Sequence, residues 1–287
     1  MASISLKRLQ DYRHGTFRSD GVRRVDSLDE AVRFVDERGF IFFGPIKDLV
    51  FPNLWSAVAG DRPVADEHDD PGHVTWGWKD SLLGKKRLYY ARVLRRRNAM
   101  ISLETAPYFY SLSENFGSPE EDYLYQYERG ALTQEAKSVY EALLREGPLD
   151  TIALRRIAHL ASRDNHGRFG KALDDLQIDF KILPTGISDA GSWHYSFIYD
   201  LTARHFPELI DQARFIQENA ARDHLTSLFF SSLGAAKPTE LNRAFGWTAE
   251  TAAGVIDRLV QAGSLCKDVE LEGSPATVLS IPEMINT

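Results

Sequence analysis

A single cysteine, Cys266, stands in a chain of 287 residues. No internal disulfide can form, and a zinc site built on several thiolates is excluded, as suits a reducing compartment. Its place between Leu265 and Lys267, in a predicted strand, gives that cysteine a packing role. Long apolar runs are also missing. Nothing reaches the roughly 20 residues that span a bilayer, and the opening MASISLKRLQDYRHG lacks the apolar core of a signal peptide. A cytoplasmic protein without a membrane partner is expected. Positive charge is not in excess either, since 34 Lys and Arg against 41 Asp and Glu leave a formal charge of -7. That excludes a polybasic coat but not a local basic patch, whose binding would be salt-sensitive. His68, Asp69, Asp70 and His73 offer suitable metal-ligand chemistry. They sit in a loop-like run with no regular spacing to aim them, so a solvated acidic loop is expected, with no metal and no cofactor.

The chain organises itself around residues 147–201. After the Gly147-Pro148 break, Leu149, Ile152, Leu154 and Ile157 recur at helical spacing, with Thr151 placed to cap a short support helix. A polar turn from Ser162 to Gly167 leads into Phe169, Ala172, Leu173 and Leu176, one apolar face of a second helix. Its opposite face carries Arg168, Lys171, Asp174 and Asp175. Two β-rich runs follow, Phe180 to Leu183 and Trp193 to Tyr199, around the polar loop PTGISDAGS. Helix, turn, helix and a two-stranded wing describe a winged helix-turn-helix. In that arrangement the second helix can enter a DNA major groove while neighbouring cations hold phosphates. The alternative is a unit that packs only against other protein.

The same grammar returns near the C-terminus: PTELNRAFG, a turn at Trp247 and Thr248, ETAAGVIDRLVQAG, then the strands SLCKDVEL and ATVLSI. A long amphipathic helix from Pro207 precedes it. Upstream, Ser27-Leu-Asp-Glu30 opens a helix carrying Val32, Phe34 and Val35, Gly39 ends it, and Phe40 to Phe43 form a buried strand. Residues 1 to 25 show little apolar periodicity and read as an ordered arm or a loose terminus. In the run LYYARVLRRRNAMISLETAPYFY, Tyr89, Tyr90, Val93 and Leu94 share a buried face and leave Arg92, Arg95, Arg96 and Arg97 as a basic surface. Such arginines suit phosphate contacts, or pair with the acidic run Glu114 to Asp122. The expected fold is mainly α with small β wings (α+β), as tandem winged helix-turn-helix domains. Three are expected: 1–120, helical or winged-helix-like; 121–207, the middle winged helix; and 208–287, the C-terminal one.

With these units in place, the chain resembles the AlkZ-like DNA glycosylase family, which joins tandem winged helices to a C-terminal β-barrel. The resemblance runs through Gly147-Pro148-Leu149, Tyr199-Asp200-Leu201 with Arg204 and Pro207, and Ile101 to Phe109 with Glu104 and Pro107. It continues in Leu259, Gly263-Ser264-Leu265 and Val269 to Gly273. It covers much of Ser27 to Ile281. It implies a QxQ or QxD motif after a Leu-Gly pair near the N-terminus, where polar groups position water or stabilise the developing sugar cation. Here that segment is Arg38 to Ile46, and Phe42 and Gly44 stand where the two polar residues belong. Gln177-Ile-Asp179 has the motif's form but lies at the end of the second helix. The histidine of the family's aromatic helix is not matched among Arg95, Arg96 and Arg97, and the β-barrel is expected to be absent.

Three functions follow. The first is a noncatalytic protein that binds duplex or damaged DNA through Arg95, Arg96, Arg97, Arg163, Arg168 and Lys171, with the wing from Gly186 to Ser192 in an adjacent groove. The second is a divergent glycosylase excising alkylated or bulky-adduct bases, with Asp48, Glu67, Asp69 or Asp179 as acid. The third is a noncatalytic regulatory or protein-interaction module. The oligomeric state is open, a monomer being favoured.

Overall fold

Local caps and apolar stripes yield a mixed α/β protein, rich in helix, in which most of the sheet is held in short strands. The computed structural model describes residues 2–65, 67, 70–191 and 193–285. Two compact units form, each from segments distant in sequence. The first comprises the chain up to Gly77, Met100–Thr105 and the chain from Glu218; the second comprises Trp78–Ala99 and Ala106–Gln217.

In the first unit the N-terminal segment is an ordered, packed arm and not a loose terminus. Strand Ser3–Ile4 runs parallel to strand Cys266–Leu271, with Ser3 opposite Glu270, and Ile4 enters a small core with Leu9, Val269 and Met284. Helix Leu6–Phe17 is capped by Ser5 and bound to the end of helix Glu218–Leu233. Tyr12 donates to the Ser231 carbonyl at 2.6 Å, and Arg13 donates to those of Leu233 and Ala235 at 3.0 and 2.7 Å. These contacts are polar and long-range, satisfying carbonyls left open at a helix terminus, so no apolar periodicity announces them. Helix Leu28–Arg38 follows its predicted cap, with Ser27 Oγ accepting from the Glu30 amide at 3.3 Å. Gly39 closes it at φ 75°, where a Cβ would stand 2.5 Å from Leu228 Cδ1, so a side chain there would clash.

Strand Phe40–Phe42 is wholly buried. Rings stack beyond it, Phe40 on Phe51 at 4.9 Å and Phe51 on Phe229 at 5.6 Å. Toward the C-terminus, helices Pro238–Phe245 and Ala249–Gln261 and strands Cys266–Leu271 and Val278–Ser280 follow the predicted order, and Thr248 caps the second of these helices. The strands belong to a four-stranded sheet in the order Ser3–Ile4, Cys266–Leu271, Val278–Ser280, Ala235–Ala236. The helix expected from Pro207 is interrupted, giving Pro207–Ala213 and Glu218–Leu233.

The second unit is built on helices Gln134–Glu146, Thr151–Ile157 and His166–Ile178. Val139, Tyr140 and Leu143 meet Leu154, Phe169, Leu173 and Leu176 in one core. Each large apolar side chain so buried contributes about 1.5–3 kcal/mol. A three-stranded antiparallel sheet closes this core in the order Leu149–Asp150, Ser196–Leu201, Ile182–Ser188, with a register shift between Pro184 and Gly186. Thr151 is not the cap of its helix. Asp150 is, its carboxylate accepting from the Ile152 and Ala153 amides at 2.9 and 3.0 Å, while Thr151 Oγ1 donates to the Phe197 carbonyl at 3.1 Å. The arginine-rich segment is a hairpin of strands Tyr89–Leu94 and Arg97–Ile101, its two-residue turn formed by Arg95 and Arg96.

Candidate nucleic-acid interface

The second helix, His166–Ile178, buries Phe169, Ala172, Leu173, Leu176 and Gln177 and leaves Arg168 and Lys171 exposed. Its C-terminal half lies against strand Tyr89–Leu94. The Arg92 amide donates to Gln177 Oε1 at 3.2 Å, and the Arg92 guanidinium donates to Asp174 at 2.8 Å. Arg96 donates to Asp175 at 2.9 Å, and Lys171 donates to the other oxygen of the same carboxylate. The structure thus joins Arg96 to Lys171 through Asp175. Arg168 turns to Glu135 at 3.4 Å, on helix Gln134–Glu146. Arg163 stands exposed in the single turn Arg163–Asn165 that leads into the second helix.

The carboxylates that answer the arginine cluster are therefore those of the second helix, not Glu114 to Asp122. Glu114 pairs with Arg129, and Asp122 accepts from the backbone amides of Phe116, Gly117 and Ser118. Burial raises the Asp122 carboxyl above the usual range, and these amides pull it back. Exposed pairs such as Arg96 with Asp175 contribute little to stability and exchange readily for a phosphate. Arg95, Arg97 and Arg163 are exposed and form no ion pair among the described residues. In the first turn of the second helix His166, Gly167 and Arg168 are exposed.

Phe42 and Gly44, expected from the resemblance to stand at the glycosylase motif, fall in the first unit. Phe42 is 2% exposed, its amide donates to the Pro52 carbonyl at 3.0 Å, and its ring meets the edge of Phe51 at 5.9 Å. It is a core residue with no polar atom to offer. Gly44 is part-exposed, and a Cβ built there meets nothing within 4 Å. Of the four candidate acids, Asp48 and Glu67 are exposed and Asp69 lies outside the described residues. Asp179 is engaged by the Glu114 amide at 3.0 Å, Gln126 Nε2 at 3.0 Å and Lys181 at 3.3 Å, which commits its carboxylate to holding the fold.

The candidate metal run is divided. His68 and Asp69 lie outside the described residues, Asp70 pairs with Arg62 at 2.8 Å, and a nitrogen of His73 bonds the Ala65 carbonyl at 3.0 Å. No group of three or more His, Cys, Asp or Glu is placed to hold a metal among the described residues, nor is any helix there long and apolar enough to cross a membrane.

Sequence reasoning passed over two features. Lys79 is buried in the second unit, and Trp193 is 89% exposed. A tryptophan inside an otherwise polar turn was the available sign of the second; nothing local signals the first, whose partner Tyr195 is 116 residues away.

A family model described as "AlkZ related" matches residues 25–246. Among solved structures, the DNA glycosylase AlkZ of Streptomyces sahachiroi is similar with a TM-score of 0.63 at 14% identity, over 98% of this chain and 71% of that one. At that identity the likeness is one of fold. No curated protein matches the chain.

Proposed function

The chain belongs to the AlkZ-related family, and from that premise we propose that it is a noncatalytic protein that binds duplex DNA, damaged DNA included, through tandem winged helices. The observation that carries this reading is the meeting of the Arg95–Arg96 turn with Lys171 through Asp175 of the second helix. The helix pair and three-stranded sheet of the second unit support the winged-helix reading, as does the same order of elements after Pro238. Arg95, Arg96, Arg97, Arg163, Arg168 and Lys171 would hold phosphates, and the wing would reach the adjacent groove. Burial of Phe42 and the bare Gly44 support the absence of N-glycosidic hydrolysis, because a sugar cation needs a polar group beside it.

The test is fluorescence anisotropy with a labelled duplex across a salt series. Binding is expected to weaken with salt by a log-log slope of about -0.9 per phosphate held. Arg168→Gln and Lys171→Gln are each expected to make that slope less negative by about 1, uniformly across DNA sequences. No base release from alkylated duplex is expected. Absence of binding at low salt would overturn the reading, and the arginines' pairing with internal carboxylates would then identify a protein-interaction module.

A further inference from the structure

Trp193 stands at the tip of the loop between strands Ile182–Ser188 and Ser196–Leu201, 89% exposed. The turn beneath it is tight: the His194 amide donates to the Gly191 carbonyl at 3.2 Å, and His194 takes a left-handed φ of 50°. Directly after the turn the chain is clamped. Tyr195 OH accepts from Lys79 Nζ at 2.6 Å and donates to Asp80 at 2.9 Å. The Lys79 side chain is 1% exposed, and its ammonium lies 5.2 Å from the centre of the Tyr195 ring and 4.6 Å from that of Phe197. Burial lowers this ammonium's pKa below the ordinary lysine value, and Asp80 opposes that shift.

On the other side, the Thr151 amide donates to Ser196 Oγ at 3.2 Å, and a Cβ at Gly191 would stand 3.4 Å from Ile152 Cδ1. A fold that buries a lysine to fix the root of a loop, yet leaves a tryptophan in water at its tip, is preorganised for a contact not made within the chain. Ile152 is half-exposed at the foot of the loop, and Arg156 follows four residues on, hence on the same helix face, exposed and without an ion pair among the described residues. An exposed indole and an aliphatic side chain beside a free guanidinium match a base with its phosphate.

We propose that Trp193 is a stacking wedge that enters duplex DNA where the base stack is already broken, with Lys79, Asp80 and Tyr195 as positioning residues and Arg156 on the adjoining phosphate. This rests on the DNA-binding reading and adds the class of DNA preferred. A side chain inserted at a base step must first unstack it, and a mismatched or abasic step is already part-way there.

Wild-type protein, Trp193→Ala and Trp193→Phe would be titrated against fully paired, mismatched and abasic duplexes of one sequence, with folding checked by circular dichroism. The wild type is expected to prefer the abasic duplex by about tenfold, within the range of one base stacked on an aromatic ring. Trp193→Ala should lose that preference, its affinity falling more for the abasic duplex than for the fully paired one, and Trp193→Phe should keep most of it. A 2-aminopurine opposite the abasic position should change its fluorescence on binding wild type and not on binding Trp193→Ala. Tyr195→Phe keeps the indole but releases the clamp, and should weaken the 2-aminopurine response without changing the salt slope. Full abasic preference in Trp193→Ala would overturn the wedge and leave DNA binding standing. Failure of the wild type to bind any duplex at low salt would overturn both.

Discussion

Phe42→Gln is expected to lower the unfolding free energy by about 3–5 kcal/mol, the range for emptying a buried phenylalanine site, before the cost of an unsatisfied amide is added. The side chain is 2% exposed between a backbone bonded to Pro52 and the ring of Phe51, so a carboxamide would find apolar neighbours where it needs hydrogen-bond partners. Gly44→Gln should behave oppositely. No atom lies within 4 Å of the added Cβ, and the backbone there is not in the left-handed region, so the change should fall within about 0.5 kcal/mol of neutral. Urea unfolding of both variants measures the contrast. Equal, small effects would show that Phe42 is not the core residue described. The pair also bears on catalysis: a polar residue can be introduced at Gly44 but not at Phe42, and Gly44→Gln alone is expected to release no base from alkylated duplex.

The double variant Arg95→Asn/Arg96→Gly should raise stability and depress DNA binding. Both arginines hold left-handed backbone, φ 53° and 55°, in a two-residue hairpin turn of the kind that Asn-Gly occupies without strain. Left-handed backbone costs a side chain-bearing residue about 1–2 kcal/mol. Losing the exposed pair of Arg96 with Asp175 removes at most about 1 kcal/mol, so a net gain of about 1 kcal/mol is expected in urea. In anisotropy the salt slope should become less negative by up to about 2, with affinity at low salt reduced about tenfold or more. Unchanged affinity would remove the turn from the proposed interface. Lower stability would mean that the link to Asp175 outweighs the strain of the turn.

Much of the local structure was legible because its causes lie within a few residues of one another. The cap read at Ser27 accepts from the amide three residues on. The stripe Phe169, Ala172, Leu173, Leu176 is buried as its spacing requires. Misreadings arose where two local solutions compete or where the partner is remote. Asp150 and Thr151 are both competent caps, and the choice fell to Asp150 because the Thr151 hydroxyl is drawn to Phe197. Arg13, in a segment with little apolar periodicity, ties two carbonyls more than 200 residues away.

By itself, then, the sequence determined the cap at Ser27, the apolar stripes of the longer helices, most of the strand runs and the family, since all of these are written in residue identity and short-range spacing. Tertiary structure alone decided which segments share a unit, that Arg92 and Arg96 meet Asp174 and Asp175 some 80 residues away, and that Lys79 grips Tyr195 at the root of the loop before strand Ser196–Leu201. Periodicity records only which face of an element is apolar. Which charge an arginine meets depends on where a distant part of the chain returns, and that is settled by packing.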